Sequence, residues 1–123
     1  MISPTQRSLA HLRRRGALCA VVERWNSYAR IRQDLFGFGD IIAAHPDHPP
    51  LIIQACRADD QATRLTKIRS AKVWPKARRW LEGGGRIEVW GWAVRVHPDK
   101  RRRWTLKVEP VRLEEDGGAT RSG

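Results

Sequence analysis

Apolar and polar positions along the chain repeat with two different periods, and the switches between them mark the elements. Ser3-Pro4-Thr5-Gln6 reads as a helix start: Ser3 can cap, Pro4 suits the first helical position, and Gln6 completes a capping-box spacing. Leu9 and Leu12 face one side, and Gly16 is placed to end a helix spanning residues 4–15. "ALCAVVERW" follows as a β-branched, apolar run of strand type, and "NSYARIRQDLFGF" as an irregular connection or short strand. "GDIIAA" and "PLIIQAC" make the next two strands, joined by the turn "HPDHPP". From Asp59 to Glu82 the spacing is helical, with Leu65 and Ile68 on one face and Asp59 and Asp60 placed to cap. Pro75 splits this stretch and opens a second short helix, and Gly83-Gly84-Gly85 ends it. "RIEVWGWAVRVH" and "RWTLKVEPVRL" alternate around "PDKRRR" as an antiparallel hairpin. Strands and helices mix around one sheet, so the class is α/β or α+β.

The length of 123 residues predicts a single domain over residues 1–113, with the polar tail 114–123 disordered. No run approaches the roughly 18 apolar residues needed to span a bilayer. The first residues lack an apolar signal-peptide core, which predicts a cytoplasmic protein with no membrane partner. Cys19 and Cys56 lie in apolar runs outside any zinc-type spacing and read as buried thiols. Lys and Arg outnumber Asp and Glu by 24 to 13, a net charge of +11 that attracts polyanions. Nucleic acid is the first candidate partner.

Chemistry concentrates in the central strands. Asp40 stands at the start of one and Gln54 near the end of its neighbour, so an antiparallel pairing lays them side by side. A carboxylate, an amide carbonyl and the backbone carbonyl of Ala55 are the oxygen ligands that Mg²⁺ or Mn²⁺ accepts.

The element order and the Asp40-x13-Gln54-x-Cys56 pattern resemble the PD-(D/E)XK nuclease superfamily, which includes restriction endonucleases and archaeal-type Holliday junction resolvases. The likeness covers roughly residues 3–96. More narrowly, "ERWNSYARIRQDLFGFGDIIA", "IIQACRADDQATRLTKI" and "WLEGGGRIEVWGW" resemble small nuclease-like proteins of bacteriophages and prophages. The resemblance implies an α/β fold with a restriction-endonuclease-like core, a mixed central sheet flanked by helices, and a C-terminal β-hairpin. It implies a Mg²⁺- or Mn²⁺-dependent endonuclease acting on DNA, branched or junction DNA included. Asp40 matches the metal-binding aspartate and Gln54 the second acid, while Cys56 falls where the family has a lysine. Lys67 or Arg64, on the following helix, is placed to supply the missing cation, with Lys67 preferred; Arg57 is adjacent but points to the opposite face of its strand. The first helix lacks the acid common in this superfamily, so Glu23 is the substitute metal ligand and Asp34 a further contributor.

Arg32, Arg57, Arg64, Lys72 and the hairpin-tip cluster Arg101, Arg102 and Arg103 are the candidate DNA contacts. Trp90 and Trp92 share one face of the hairpin with Trp104 across from them, for core packing or an interface. Symmetric cutting of two strands by a resolvase-like enzyme implies a homodimer. The changed Gln54 and Cys56 equally fit a catalytically inactive nuclease-fold protein that binds DNA without cutting, and the charge alone fits a nucleic-acid-binding protein of unrelated mechanism.

Overall fold

The computed structural model describes residues 2–113; the predicted tail at 114–123 lies outside them. The elements run α1 (Pro4–Arg14), β1 (Leu18–Val21), β2 (Arg24–Asn26), β3 (Ile31–Gln33), β4 (Ile41–His45), β5 (His48–Arg57), a 3₁₀ turn (Ala58–Asp60), α2 (Gln61–Ile68), α3 (Trp74–Glu82), β6 (Arg86–Val96) and β7 (Arg102–Val111). Five strands form one mixed sheet in the order β1-β4-β5-β6-β7, and β2 with β3 forms a separate hairpin. Only β5 and β6 run parallel, joined by the crossover through α2 and α3; the other neighbours are antiparallel. The chain is thus α/β, a mixed sheet flanked by three helices. Among the described residues no helix is long and apolar enough to cross a membrane.

β5 explains the layering. Leu51 to Cys56 are all buried, as expected of a central strand covered on both faces. Alternation sends Leu51 and Ile53 to one side, where they pack with Leu12, Ile41, Ala43 and Trp90 beneath α1. Ile52 and Cys56 face the other side and join Phe38, Ile68, Val73, Ala77, Ile87 and Val89 under α2 and α3. Asp40 and Gln54, both buried, lie at the end of the sheet where β4 begins and β5 finishes.

Local signals account for most boundaries. The Gln6 amide donates to Ser3 Oγ at 3.1 Å, Pro4 opens α1, and Gly16 takes a positive φ of 81° just past its end. α1 docks through Ser8, whose hydroxyl donates to the Pro4 carbonyl and accepts from Trp92 Nε1 at 3.0 Å. His11 meets Trp90 and Trp92 edge-on. Trp90 and Trp92 therefore serve the core beneath α1, and Trp104 alone of the three stays substantially exposed.

Several boundaries differ from the sequence expectation. The run 17–25 is not one strand: β1 ends at Val21, because its partner β4 begins at Ile41, and the chain departs into the β2–β3 hairpin. The "HPDHPP" turn is only Pro46-Asp47, with His45 opposite His48, so Pro49 and Pro50 extend β5 beyond its pairing with β6. A proline has no ladder hydrogen bond to lose there. Asp59 and Asp60 form a 3₁₀ turn and make no side-chain cap on α2. The helical stretch breaks from Arg69 to Val73, where Ser70 Oγ donates to the Lys67 carbonyl, and Pro75 sits in the first turn of α3.

Candidate metal centre

Three local devices bring acidic groups to the open end of the sheet. Asp40 is clamped by its own backbone: its N–H donates to the Ile53 carbonyl at 2.9 Å, and its carbonyl accepts from Val22 N–H at 2.8 Å. That second bond places Glu23, the next residue, beside Asp40. The third device is a tight turn, Leu35-Phe36-Gly37-Phe38, closed by Phe38 N–H to the Leu35 carbonyl. Positive φ at Phe36 (55°) and Gly37 (85°) gives it type I′ geometry. Leu35 bridges Gly39 across the turn, so Asp34 returns to the same place. A Cβ on Gly39 would meet Ile52 Cγ2 at 2.6 Å, so a glycine there lets the chain lie close on β5 before Asp40.

Carboxylate oxygens of Glu23, Asp34 and Asp40 consequently lie within 4.8 Å of one another. At an effective dielectric constant near 20, two like charges at that range repel by about 3 kcal/mol. Cations offset part of this: Arg32 Nη1 is 3.7 Å from Glu23, and Lys67 Nζ is 3.7 Å from Asp34. The rest falls on Asp40, whose pKa is pushed up to about 7. Burial is the largest cause, and the Asp34 and Glu23 charges add to it against hydrogen bonds from Ala55 and Gln54. Asp40 Oδ2 accepts from Ala55 N–H at 2.8 Å and from Gln54 Nε2 at 3.0 Å. Gln54 Oε1 is buried and has no hydrogen-bond partner. Three crowded carboxylates, with a buried amide oxygen left unpaired on the residue that holds Asp40, are an oxygen-rich donor set that could hold a metal ion.

The structure brings Asp40, Gln54, Glu23 and Asp34 together and sets Lys67 at their edge. Ala55 is present through its amide, which points at Asp40. Cys56, two residues beyond Gln54 on the same face, is part of the core, and burial pushes its thiol up to about 11. The Arg64 charge reaches that thiol and opposes the shift. Arg57 is exposed on the strand's last position.

Arg32 and Lys72 line a cleft of about 870 Å³ that also includes Asp34, Arg24, Lys67 and Lys76. Arg101, Arg102 and Arg103 are exposed at the β6–β7 tip; Arg103 is ion-paired with Asp99, and none of the three lines that cleft. Phe36, which also lines it, was not legible as a site residue, since a phenylalanine before glycine carries no turn signal of the Asn-Gly kind. No protein-family model matches the chain, and no curated protein or solved structure matches it.

Proposed function

We propose that the chain is a metal-dependent DNA endonuclease with a restriction-endonuclease-like core, its metal being Mg²⁺ or Mn²⁺. One observation carries this: carboxylate oxygens of Glu23, Asp34 and Asp40 converge within 4.8 Å of one another, and Asp40 is held by Gln54, whose own Oε1 is buried without a hydrogen-bond partner. Asp40, Glu23, Asp34 and Gln54 would hold the ion, with the Ala55 backbone beside them. When bound, such an ion polarises a phosphoryl oxygen and lowers the pKa of a water molecule for attack on phosphorus. Lys67 keeps an ammonium at the edge of the cleft, where charge develops on a phosphate undergoing hydrolysis. It takes the place of the lysine that Cys56 lacks. Arg24, Arg32, Lys72 and Lys76 neutralise phosphates along the same cleft. Branched DNA is the first substrate class to offer, and symmetric cutting of it calls for a homodimer.

A second reading rests on Cys56. The thiol is buried among apolar neighbours and neutral near pH 7, so β5 contributes no cation to the site. A protein of the same fold that binds DNA without cutting follows if Lys67 does not substitute. Calorimetric titration with Mn²⁺ tests the assumption common to both. One ion per chain in the wild type, weakened at least tenfold in Asp34→Asn, supports the centre; no heat of binding at millimolar Mn²⁺ removes it.

A further inference from the structure

The cleft beside the acidic centre has two walls of different chemistry. Lys67, Lys72 and Lys76 form one, carried by α2, α3 and the turn between them; Arg24 and Arg32 of the β2–β3 hairpin form the other. Phe36 stands at its edge, 44% exposed, on the turn that delivers Asp34. A bulky residue at φ 55° is a strained choice where glycine or asparagine is at ease, and the strain is retained at an exposed position beside the site. Trp25, 59% exposed, lies directly across the hairpin from Arg32. Arg32 reaches Glu23, so Trp25 shares the hairpin face that leads to the carboxylates.

A cationic groove with one exposed aromatic ring in its lining, Phe36, and a second beside it on the adjoining hairpin, Trp25, has the two chemistries that an unpaired nucleic-acid strand requires. Lysines and arginines follow the phosphates, and flat rings accept any base. A duplex keeps its bases stacked inside and offers those rings nothing. We propose that this cleft is a track for a single, unpaired polynucleotide strand, with Phe36 and Trp25 as the platforms for its bases. The inference deepens the nuclease reading and rests on it for the position of the acidic centre; it selects strands with unpaired segments as the substrate class. Charge argues against a second copy of this chain as the occupant. An isologous contact would bring the same cationic cleft of two copies face to face.

The test is fluorescence anisotropy of a short labelled oligothymidylate and of a blunt duplex of equal length, both in EDTA. The wild type binds the single strand more tightly. Phe36→Gly lowers that affinity about 5- to 150-fold, the span expected of one lost stacking contact, and leaves duplex binding unchanged. Its melting temperature holds or rises, because glycine relaxes the positive φ. Trp25→Ala weakens the single strand in the same way, and Trp25→Phe restores it. Lys72→Gln with Lys76→Gln makes the salt slope shallower by about 1.4, from roughly 0.7 per single-strand phosphate contact.

Single-strand affinity unchanged in both aromatic variants overturns the proposal, as does a wild type that favours duplex. So does Trp25→Ala that only converts a dimer to a monomer in light scattering. Mn²⁺ binding, measured without DNA, separates the two claims. An intact metal site with no stacking effect sinks the track alone, and a stacking effect with no metal binding sinks the nuclease alone.

Discussion

Lys67 Nζ lies 3.7 Å from Asp34 Oδ2, an ion pair that ties the middle of the crossover to the turn preceding the central hairpin. Both partners face the cleft, and the lysine side chain is 44% exposed, so the pair has little value for stability. Its consequence is positional: a fixed ammonium stands beside the carboxylates.

Lys67→Gln is therefore expected to lower the single-turnover cleavage rate by about 10²-fold, the usual effect of removing one preorganised charge from a transition state. Mn²⁺ affinity should hold or rise, because a competing cation has gone. A variant that cuts at the wild-type rate would take the lysine role away from Lys67.

Asp40 gives the metal-free protein an inverted pH dependence. Its carboxyl is raised from 3.8 to about 7 in the fold. Below the unfolded value both states carry the proton and the stabilisation is complete. As pH climbs towards 7 the unfolded chain gives up its proton while the fold keeps it, and stability falls. That rise corresponds to a loss on the order of 4 kcal/mol. Urea unfolding in EDTA should show lower stability at pH 8 than at pH 5. Asp40→Asn, whose amide oxygen can still accept from Ala55 N–H, should flatten that trend.

Metal should offset much of the loss. At pH 8, Mn²⁺ at a hundred times its dissociation constant stabilises by about 2.7 kcal/mol. Near pH 7 binding displaces a proton from Asp40. Titrations in two buffers of different ionisation enthalpy should report fractional proton release that vanishes in Asp40→Asn.

Cys56 is expected to be inert. Iodoacetamide at neutral pH should leave it unmodified in the folded chain, because burial holds the thiol protonated at about 11. Cys56→Ala should cost about 1 kcal/mol of stability and leave cleavage within twofold. A large loss of activity would give the thiol a chemical role.

Much of this arrangement was legible because strand periodicity is strict. The β4–β5 hairpin follows from two apolar runs around a proline-rich turn, and its register, Ile41 opposite Ile53, sets Asp40 against Gln54. Pro4, Gly16, Pro75 and Gly84 mark helix ends by restricting or freeing the backbone, and the structure keeps all four in those roles.

The acids were harder to place. Glu23 needed the early exit of β1, which depends on where β4 starts rather than on any residue in "ALCAVVERW". Asp34 needed a type I′ turn whose first central residue is Phe36, a side chain that hides the turn. Asp59 and Asp60 carry cap residues, yet the chain enters α2 through a 3₁₀ turn and leaves both side chains without a cap bond.

The most direct measurement is single-turnover cleavage of single-stranded, duplex and four-way-junction DNA by the wild type and Asp40→Ala, with Mg²⁺, Mn²⁺ or EDTA. The account predicts cutting by the wild type in either metal, none in EDTA and none by Asp40→Ala. Cutting that survives EDTA or Asp40→Ala, or no cutting of any substrate by a wild type that binds Mn²⁺, would contradict it.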